Sequence, residues 1–100
     1  MNAQAAEWTA ERVRTLLAEN RRARVRALLA LYERQTTTEQ ASHVTTEHNG
    51  RGFSGVDAEI LTSFAEQAMA GRTLSEKQDA LLSKKLPKYA RQLVEIANGR

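Results

Sequence analysis

Residues 21–35 read RRARVRALLALYERQ. Apolar side chains recur in this stretch at intervals of three and four residues, which is the spacing of an α-helix with one face against a core. These side chains are Val25, Leu28, Leu29 and Tyr32. Outside the stretch, strong helix formers dominate the composition, and no alternating apolar and polar run extends over five residues. The sequence therefore predicts an all-α fold of five to six short helices, with no sheet.

Capping signals mark the neighbouring helices on both sides of this stretch. Upstream, a helix is predicted to begin near Thr9 and to carry Val13, Leu16 and Leu17 on one side, and Asn20 either ends it or is passed through. Downstream lie two overlapping capping boxes, each a threonine followed three residues later by Glu or Gln. They are Thr36 with Glu39 and Thr37 with Gln40. The boxes predict a short polar helix that ends at residues 48–49, before Gly50.

The second half of the chain opens with a loop at residues 51–55, in which Phe53 is the single large apolar anchor. Ser54 and Asp57 are the N-cap candidates for the helix that follows, and Gly71 is predicted to end that helix. The helix has a wide apolar stripe that is predicted to face the core. The stripe comprises Val56, Ile60, Leu61, Phe64, Ala65, Ala68 and Met69.

A further capping box, Ser75 with Gln78, opens another helix. Pro87 then either kinks this helix or takes the first position of a new one. The last segment, residues 88–98, is predicted to stop at Gly99. Its buried side is predicted to comprise Tyr89, Leu93, Ile96 and Ala97.

Length and composition limit the classes of protein that the chain can represent. The chain has 100 residues and a net charge of +3. Its length predicts one domain, residues 1–100. Within this domain, a pivot is predicted at residues 35–50, between an N-terminal helical hairpin and a C-terminal helical module. This length is too short for motor, doubly wound or barrel enzymes. The absence of Cys excludes disulfides, thiolate catalysis and Cys-based metal centres. No apolar stretch approaches the roughly 18 residues of a membrane span, so neither secretion nor membrane insertion is predicted.

Residues 50–55, GRGFSG, match the G-x-G-x-x-G pattern of dinucleotide sites. A polar stretch precedes them instead of a buried strand, so we predict helix caps around a turn and no cofactor. Arg51, beside backbone N–H groups at a helix start, is a candidate contact for a phosphate or a carboxylate. His43 and His48 fall on different faces of a helix, and no nucleophile is paired with a base along the chain. We therefore predict no metal site and no enzymatic activity.

Two basic sets remain as candidates for partner binding. The first, here named the collar, comprises Arg21, Arg22, Arg24 and Arg26. Because the collar flanks the apolar stripe of its helix, its side chains either cover the edge of the core or contact phosphates or an acidic protein surface.

The second set, here named the ridge, comprises Lys77, Lys84, Lys88 and Arg91, and Lys85 adjoins it. In a helix that continues past Pro87, the four ridge residues fall within about 60° of one another. The ridge is then either a contact surface for nucleic acid or an ordinary solvated helix face, in which Glu95 forms an ion pair with Arg91.

A group of residues in the second half also occurs as a pattern in a known class of proteins. They are Asn49, Gly50, Gly52, Phe53, Gly71, Leu74, Ser75, Lys77, Gln78, Lys88, Tyr89, Gln92 and Leu93. On these residues, the chain from about residue 45 to residue 99 resembles a helical module of phage- and plasmid-associated DNA-processing proteins, including helicase-like ones. The chain has no Walker motif, so the resemblance implies docking to nucleic acid or to a partner and no motor activity.

In its size, mild basic charge and lack of Cys, the chain also resembles the single-domain inhibitors that phages use against bacterial defence, in particular anti-CRISPR proteins of type I systems, I-F included. This resemblance implies a non-catalytic inhibitor in the bacterial cytoplasm that binds subunits of the CRISPR surveillance complex and blocks target DNA recognition. The alternative is a nucleic-acid-binding accessory module of a phage or plasmid DNA-processing system, and a protein–protein adaptor is a third interpretation. No membrane partner is expected, and the oligomeric state stays open.

Overall fold

The computed structural model describes residues 8–46 and 51–99. These residues form six α-helices and one 3₁₀ turn and contain no strand, which confirms the predicted all-α class. The elements are α1 (Ala10–Glu19), α2 (Arg21–Glu33), α3 (Thr37–Ser42), α4 (Ala58–Met69), α5 (Glu76–Lys85), the 3₁₀ turn (Leu86–Tyr89) and α6 (Ala90–Ala97). No helix within the two described ranges is long and apolar enough to cross a membrane.

Four helices begin at side-chain caps, three of them near positions that the sequence predicts as helix starts and the fourth at Asn20. Thr9 caps α1, and Asn20 both ends α1 and caps α2, which decides between the two alternatives for Asn20. Complete capping boxes open the other two helices. They are Thr36 with Glu39 at α3 and Ser75 with Gln78 at α5. These starts are fixed by hydrogen bonds between residues that are close in sequence.

The prediction that α3 extends to residues 48–49 is wrong. His43 takes a left-handed conformation with φ 59°, and the helix ends there. Two residues later, the buried Thr45 donates a hydrogen bond to the carbonyl oxygen of Phe53 at 2.8 Å. This contact draws the chain toward the loop that follows. Gly50, which was predicted to follow the helix, lies outside the described residues.

Buried side chains from every α-helix except α3 form one core. Its members are Val13, Leu17, Leu28, Leu31, Tyr32, Phe53, Ala58, Leu61, Phe64, Ala65, Leu74, Leu82, Leu86, Tyr89, Ala90 and Leu93. Leu31 belongs to this core although the periodic pattern of residues 21–35 does not include it, whereas Val25 and Leu29 pack only at the edge.

Three residues that were predicted to be buried are exposed. Val56 is 78% exposed, Met69 is 59% exposed, and Ala97 is also exposed. Val56 precedes the first turn of α4, so helical spacing does not apply to it. Met69 and Ala97 are the last residues of their helices.

The two halves of the chain pack against each other in a single small domain. α1 packs against α6, and α2 packs against α4, α5 and α6. Trp8 N–H donates a hydrogen bond to Asn98 Oδ1, and Asn98 Nδ2 donates one to the Trp8 carbonyl oxygen. Pro87 is the second residue of the 3₁₀ turn, which separates α5 from α6. Pro87 therefore does not kink one continuous α-helix, and it lies at the start of the turn and not at the start of α6. The pivot at residues 35–50 stays a prediction.

Candidate functional site

A buried carboxylate joins the start of α4 to the 3₁₀ turn. Asp57 occupies the N-cap position of α4, but it makes no side-chain cap. Its carboxylate instead lies 2.9 Å from Lys85 Nζ, 2.6 Å from Lys88 Nζ and 2.6 Å from the Tyr89 hydroxyl, and all three groups donate to it. Burial by itself raises the pKa of Asp57, but these hydrogen bonds together outweigh burial and lower the pKa to about 2. Burial and the hydrogen bond to Asp57 raise the pKa of Tyr89 to about 12.

Side-chain amides hold the loop that precedes α4. The Gln92 amide accepts a hydrogen bond from Gly52 N–H and donates one to the Gly52 carbonyl oxygen. Gln35 Oε1 accepts a hydrogen bond from Phe53 N–H at 2.9 Å. Gly52 has a φ of 80°, and a Cβ atom there would lie only 2.1 Å from Gln35 Oε1. Gly52 is therefore required by a left-handed backbone and by the close approach of Gln35.

This loop does not offer its backbone to an anion at the predicted position. Ser54 N–H donates a hydrogen bond to the Tyr89 hydroxyl at 3.1 Å, so the N–H groups of residues 52, 53 and 54 are all bonded to side chains. The hypothesis that Arg51 and neighbouring N–H groups together hold a phosphate therefore loses the donors of residues 52, 53 and 54. Arg51 itself is exposed.

The residues that carry the resemblance to DNA-processing proteins mostly serve this internal framework. Gly52, Phe53, Lys88, Tyr89 and Gln92 form the contacts just described. Among the others, Leu74 and Leu93 lie in the core, and Ser75 with Gln78 caps α5. Asn49 and Gly50 lie outside the described residues. Most residues of the pattern thus have a structural role in the C-terminal half.

Two of the four collar arginines are engaged within the protein. Arg24 donates hydrogen bonds to both carboxylate oxygens of Asp79, at 2.8 and 2.7 Å, and these bonds hold the pKa of Asp79 below its ordinary value. Arg21 donates to the Leu74 carbonyl oxygen. The structure thus supports the core-edge interpretation for Arg24 and Arg21. Arg22 and Arg26 are exposed and form no ion pair with any described residue.

A basic groove lies between the start of α2 and the connection from α4 to α5. It has a volume of about 580 Å³, and three arginines border it: Arg21, Arg22 and Arg72. Apolar groups that line it are Val25, Ala68 and Leu74. We call this feature the arginine groove. Sequence reasoning missed Arg72, because its proximity to the collar depends on how α4 packs against α2.

The ridge is less continuous than the sequence predicts. The 3₁₀ turn interrupts the helix that the projection assumed, and Lys88, like the adjoining Lys85, is bound to Asp57. Lys77, Lys84 and Arg91 are exposed, and none of them forms an ion pair with a described residue. The predicted ion pair of Arg91 with Glu95 is absent, because Glu95 pairs with Arg34 at 3.7 Å.

No cluster of three metal-ligating side chains occurs within the part of the chain that the structure describes. His43 lies 3.1 Å from Glu66 and is engaged there, and His48 lies outside the described residues. Comparison of the chain with protein-family models, with curated proteins and with solved structures gave no match. Both resemblances therefore stay hypotheses.

Proposed function

We propose that this protein is a non-catalytic inhibitor of the phage type, which binds a type I CRISPR surveillance complex and blocks its recognition of target DNA. One observation carries the proposal: seven basic side chains are exposed and form no ion pair with any described residue. They are Arg14, Arg22, Arg26, Arg72, Lys77, Lys84 and Arg91. Such groups bind the carboxylates of acidic proteins and the phosphates of nucleic acids. A surveillance complex contains both.

The buried polar cluster around Asp57 and Tyr89 is itself poorly suited to general acid–base catalysis. Asp57 titrates at about 2 and Tyr89 at about 12, whereas a general acid or base works best when its pKa lies near the operating pH. The same hydrogen bonds fix the loop before α4. We therefore assign this cluster to the framework that holds the basic surface. Under the proposal, the protein acts in the cytoplasm of the bacterial host.

A nucleic-acid-binding accessory module is the second candidate, because the same seven cations fit a phosphate backbone. The aromatic residues give less support to this candidate. Proteins that bind single strands commonly use exposed aromatic rings on which bases stack. Tyr32, Phe53, Phe64 and Tyr89 are buried. Trp8 is partly buried, and the Arg12 guanidinium lies 4.7 Å from its ring centre. We therefore place the inhibitor first.

The two candidates differ in whether the protein binds DNA in the absence of the surveillance complex. The test measures target-DNA binding by a purified type I surveillance complex with and without the protein, beside a sample of protein and DNA alone. We expect the protein to abolish DNA binding by the complex and to leave the electrophoretic mobility of DNA unchanged in the sample without the complex. A shift of free DNA that weakens steeply with salt, with the complex unaffected, would favour the accessory module. An effect in neither sample would reject both candidates and leave the adaptor interpretation.

The double variant Lys84→Glu/Arg91→Glu tests whether the ridge binds nucleic acid. Both residues are exposed on the outer sides of α5 and α6, so the fold should be unaffected. If nucleic acid binds through the ridge, this variant should lose the free-DNA shift. The control is Glu59→Gln, which changes an exposed carboxylate on α4 and should leave both assays unchanged.

A further inference from the structure

We infer that the arginine groove is a docking site for an acidic protein segment that also carries an apolar side chain. This inference rests on the proposed function and names the chemistry of the partner. Within a surveillance complex, the segment would belong to a protein subunit and not to the guide RNA or the target DNA. The collar would then act through Arg22, together with Arg72.

The charges of the groove favour an anionic ligand. No carboxylate lines the groove among the described residues. The Arg21 guanidinium donates to the Leu74 carbonyl oxygen and lies 3.9 Å from the Asp79 carboxylate, so it is already engaged. Arg22 and Arg72 are exposed and form no ion pair with a described residue. A planar guanidinium can bind a carboxylate through two parallel hydrogen bonds. Arg22 and Arg72 are therefore placed to bind carboxylates on a single segment.

The start of α2 gives an independent reason to expect negative charge at the groove. α2 has no acidic residue in its first turn, and three of its first four residues are arginines. A helix N-terminus is the positive end of the helix dipole, so this arrangement is unfavourable in the free protein. Asp79 offsets part of it through its bonds to Arg24. An acidic segment beside Arg22 would supply further compensation and stabilise α2.

The wall between the arginines distinguishes a protein segment from a nucleic acid. Val25, Ala68 and the buried Leu74 form an apolar surface there. An apolar side chain of a partner would be removed from water on this surface, which is favourable. Single-stranded bases commonly stack on aromatic rings, and no aromatic residue lines the groove. The combination of guanidinium groups with an aliphatic wall matches an acidic segment with an apolar side chain.

Three probes test the assignment by fluorescence anisotropy with the whole chain. They are a labelled acidic peptide that contains leucines among glutamates, a glutamate-only peptide of the same charge and length, and a single-stranded oligodeoxythymidylate of the same charge. We expect the leucine-containing peptide to bind most tightly. The variant Arg22→Glu/Arg72→Glu should weaken its binding by about tenfold or more, since it removes two charge-assisted contacts.

The matched control is Lys84→Glu/Arg91→Glu, which makes the same change in net charge on exposed residues outside the groove. It should weaken peptide binding by less than about threefold, because exposed charges at a distance are screened by salt. Equal losses in the two variants, or absent peptide binding, would overturn the assignment. Tighter binding of the oligonucleotide than of the leucine-containing peptide would also overturn it. Circular dichroism of both variants checks that the fold is retained.

The peptide assay and the surveillance-complex assay fail independently. Groove-specific peptide binding by a protein that does not inhibit the complex would leave the groove assigned and reject the proposed function. Inhibition by a protein that does not bind the peptide would reject the groove assignment and leave the function standing. Groove-specific peptide binding, together with inhibition of the complex that Arg22→Glu/Arg72→Glu abolishes, would support both.

Discussion

Gly52 is a residue whose replacement by Ala should be costly for two separable reasons. Its φ of 80° strains any residue with a Cβ by about 1–2 kcal/mol, and that Cβ would also displace Gln35 from the N–H of Phe53. Losing a partner for a buried N–H costs about 1–3 kcal/mol. We therefore expect Gly52→Ala to lower the free energy of unfolding by about 3 kcal/mol, as measured by urea denaturation.

Gly71 provides the control for the Gly52 prediction. Its φ is 83°, but a Cβ there would meet no atom within 4 Å. Gly71→Ala should therefore show the backbone strain alone, about 1–2 kcal/mol. If the two variants lost the same stability, the contact of Gly52 with Gln35 would not contribute.

Asp57 should give the protein a specific dependence of stability on acid. Its pKa is about 2 in the folded protein against 3.8 ordinarily, so the folded state binds this proton more weakly than the unfolded state. The resulting stabilisation is present above about pH 4 and is lost as the pH falls toward 2. At about 1.4 kcal/mol for each unit of pKa difference, it amounts to roughly 2 kcal/mol.

The variant Asp57→Asn isolates this contribution. We expect it to be less stable than the wild type by about 2 kcal/mol at pH 6, and the difference should shrink as the pH falls to 2. Urea unfolding at several pH values gives the measurement. Glu59→Gln, at an exposed position of α4, should show a difference that does not vary in this way. A constant difference for Asp57→Asn would contradict the role of its buried ion pairs.

Among the helices, α5 is supported by its N-terminal capping box as well as by apolar packing. Ser75 accepts a hydrogen bond from Gln78 N–H, and the Gln78 side chain accepts one from Ser75 N–H. The same side chain exchanges hydrogen bonds with Gln67 on α4. Only Leu82 of α5 is fully buried, so few apolar contacts support this helix. The box thus both starts α5 and ties it to α4.

Ser75→Ala should therefore lower the free energy of unfolding by about 1 kcal/mol, the usual contribution of an N-cap side chain. Thermal unfolding followed by circular dichroism gives the measurement. Ser63, an exposed residue inside α4, is the control, because Ser→Ala there removes no cap and replaces Ser by a stronger helix former. A loss at Ser63 as large as that at Ser75 would mean that the cap is not the cause.

At the scale of the whole molecule, the shared core predicts a single cooperative unfolding transition. Trp8 is bonded to Asn98, so its fluorescence reports contact between the two ends of the described chain, while circular dichroism reports all helices. We expect both signals to have the same urea midpoint, as two-state unfolding requires. Separate midpoints would show that the halves unfold independently and would support the predicted pivot at residues 35–50.

Local interactions made much of the fold predictable. The caps at Thr9, Asn20, Thr36 and Ser75 join residues at most three positions apart, so the sequence displays both partners together. Predictions failed at helix ends, where helical spacing no longer applies, and where a contact outside the helix decided the outcome. The end of α3 is an example, because the bond from Thr45 to Phe53 depends on the folded loop.

The helical class, most helix starts and the presence of clustered cations follow from local sequence patterns, since helix periodicity and capping act within one or two turns. Which of these cations remain available to a partner depends on tertiary contacts. Arg24 meets Asp79 across 55 positions of chain, and Lys85 meets Asp57 across 28. The arginine groove likewise exists because α4 packs against α2 and brings Arg72 to the collar. Contacts over such separations depend on how the helices pack, and no spacing within the chain encodes that packing.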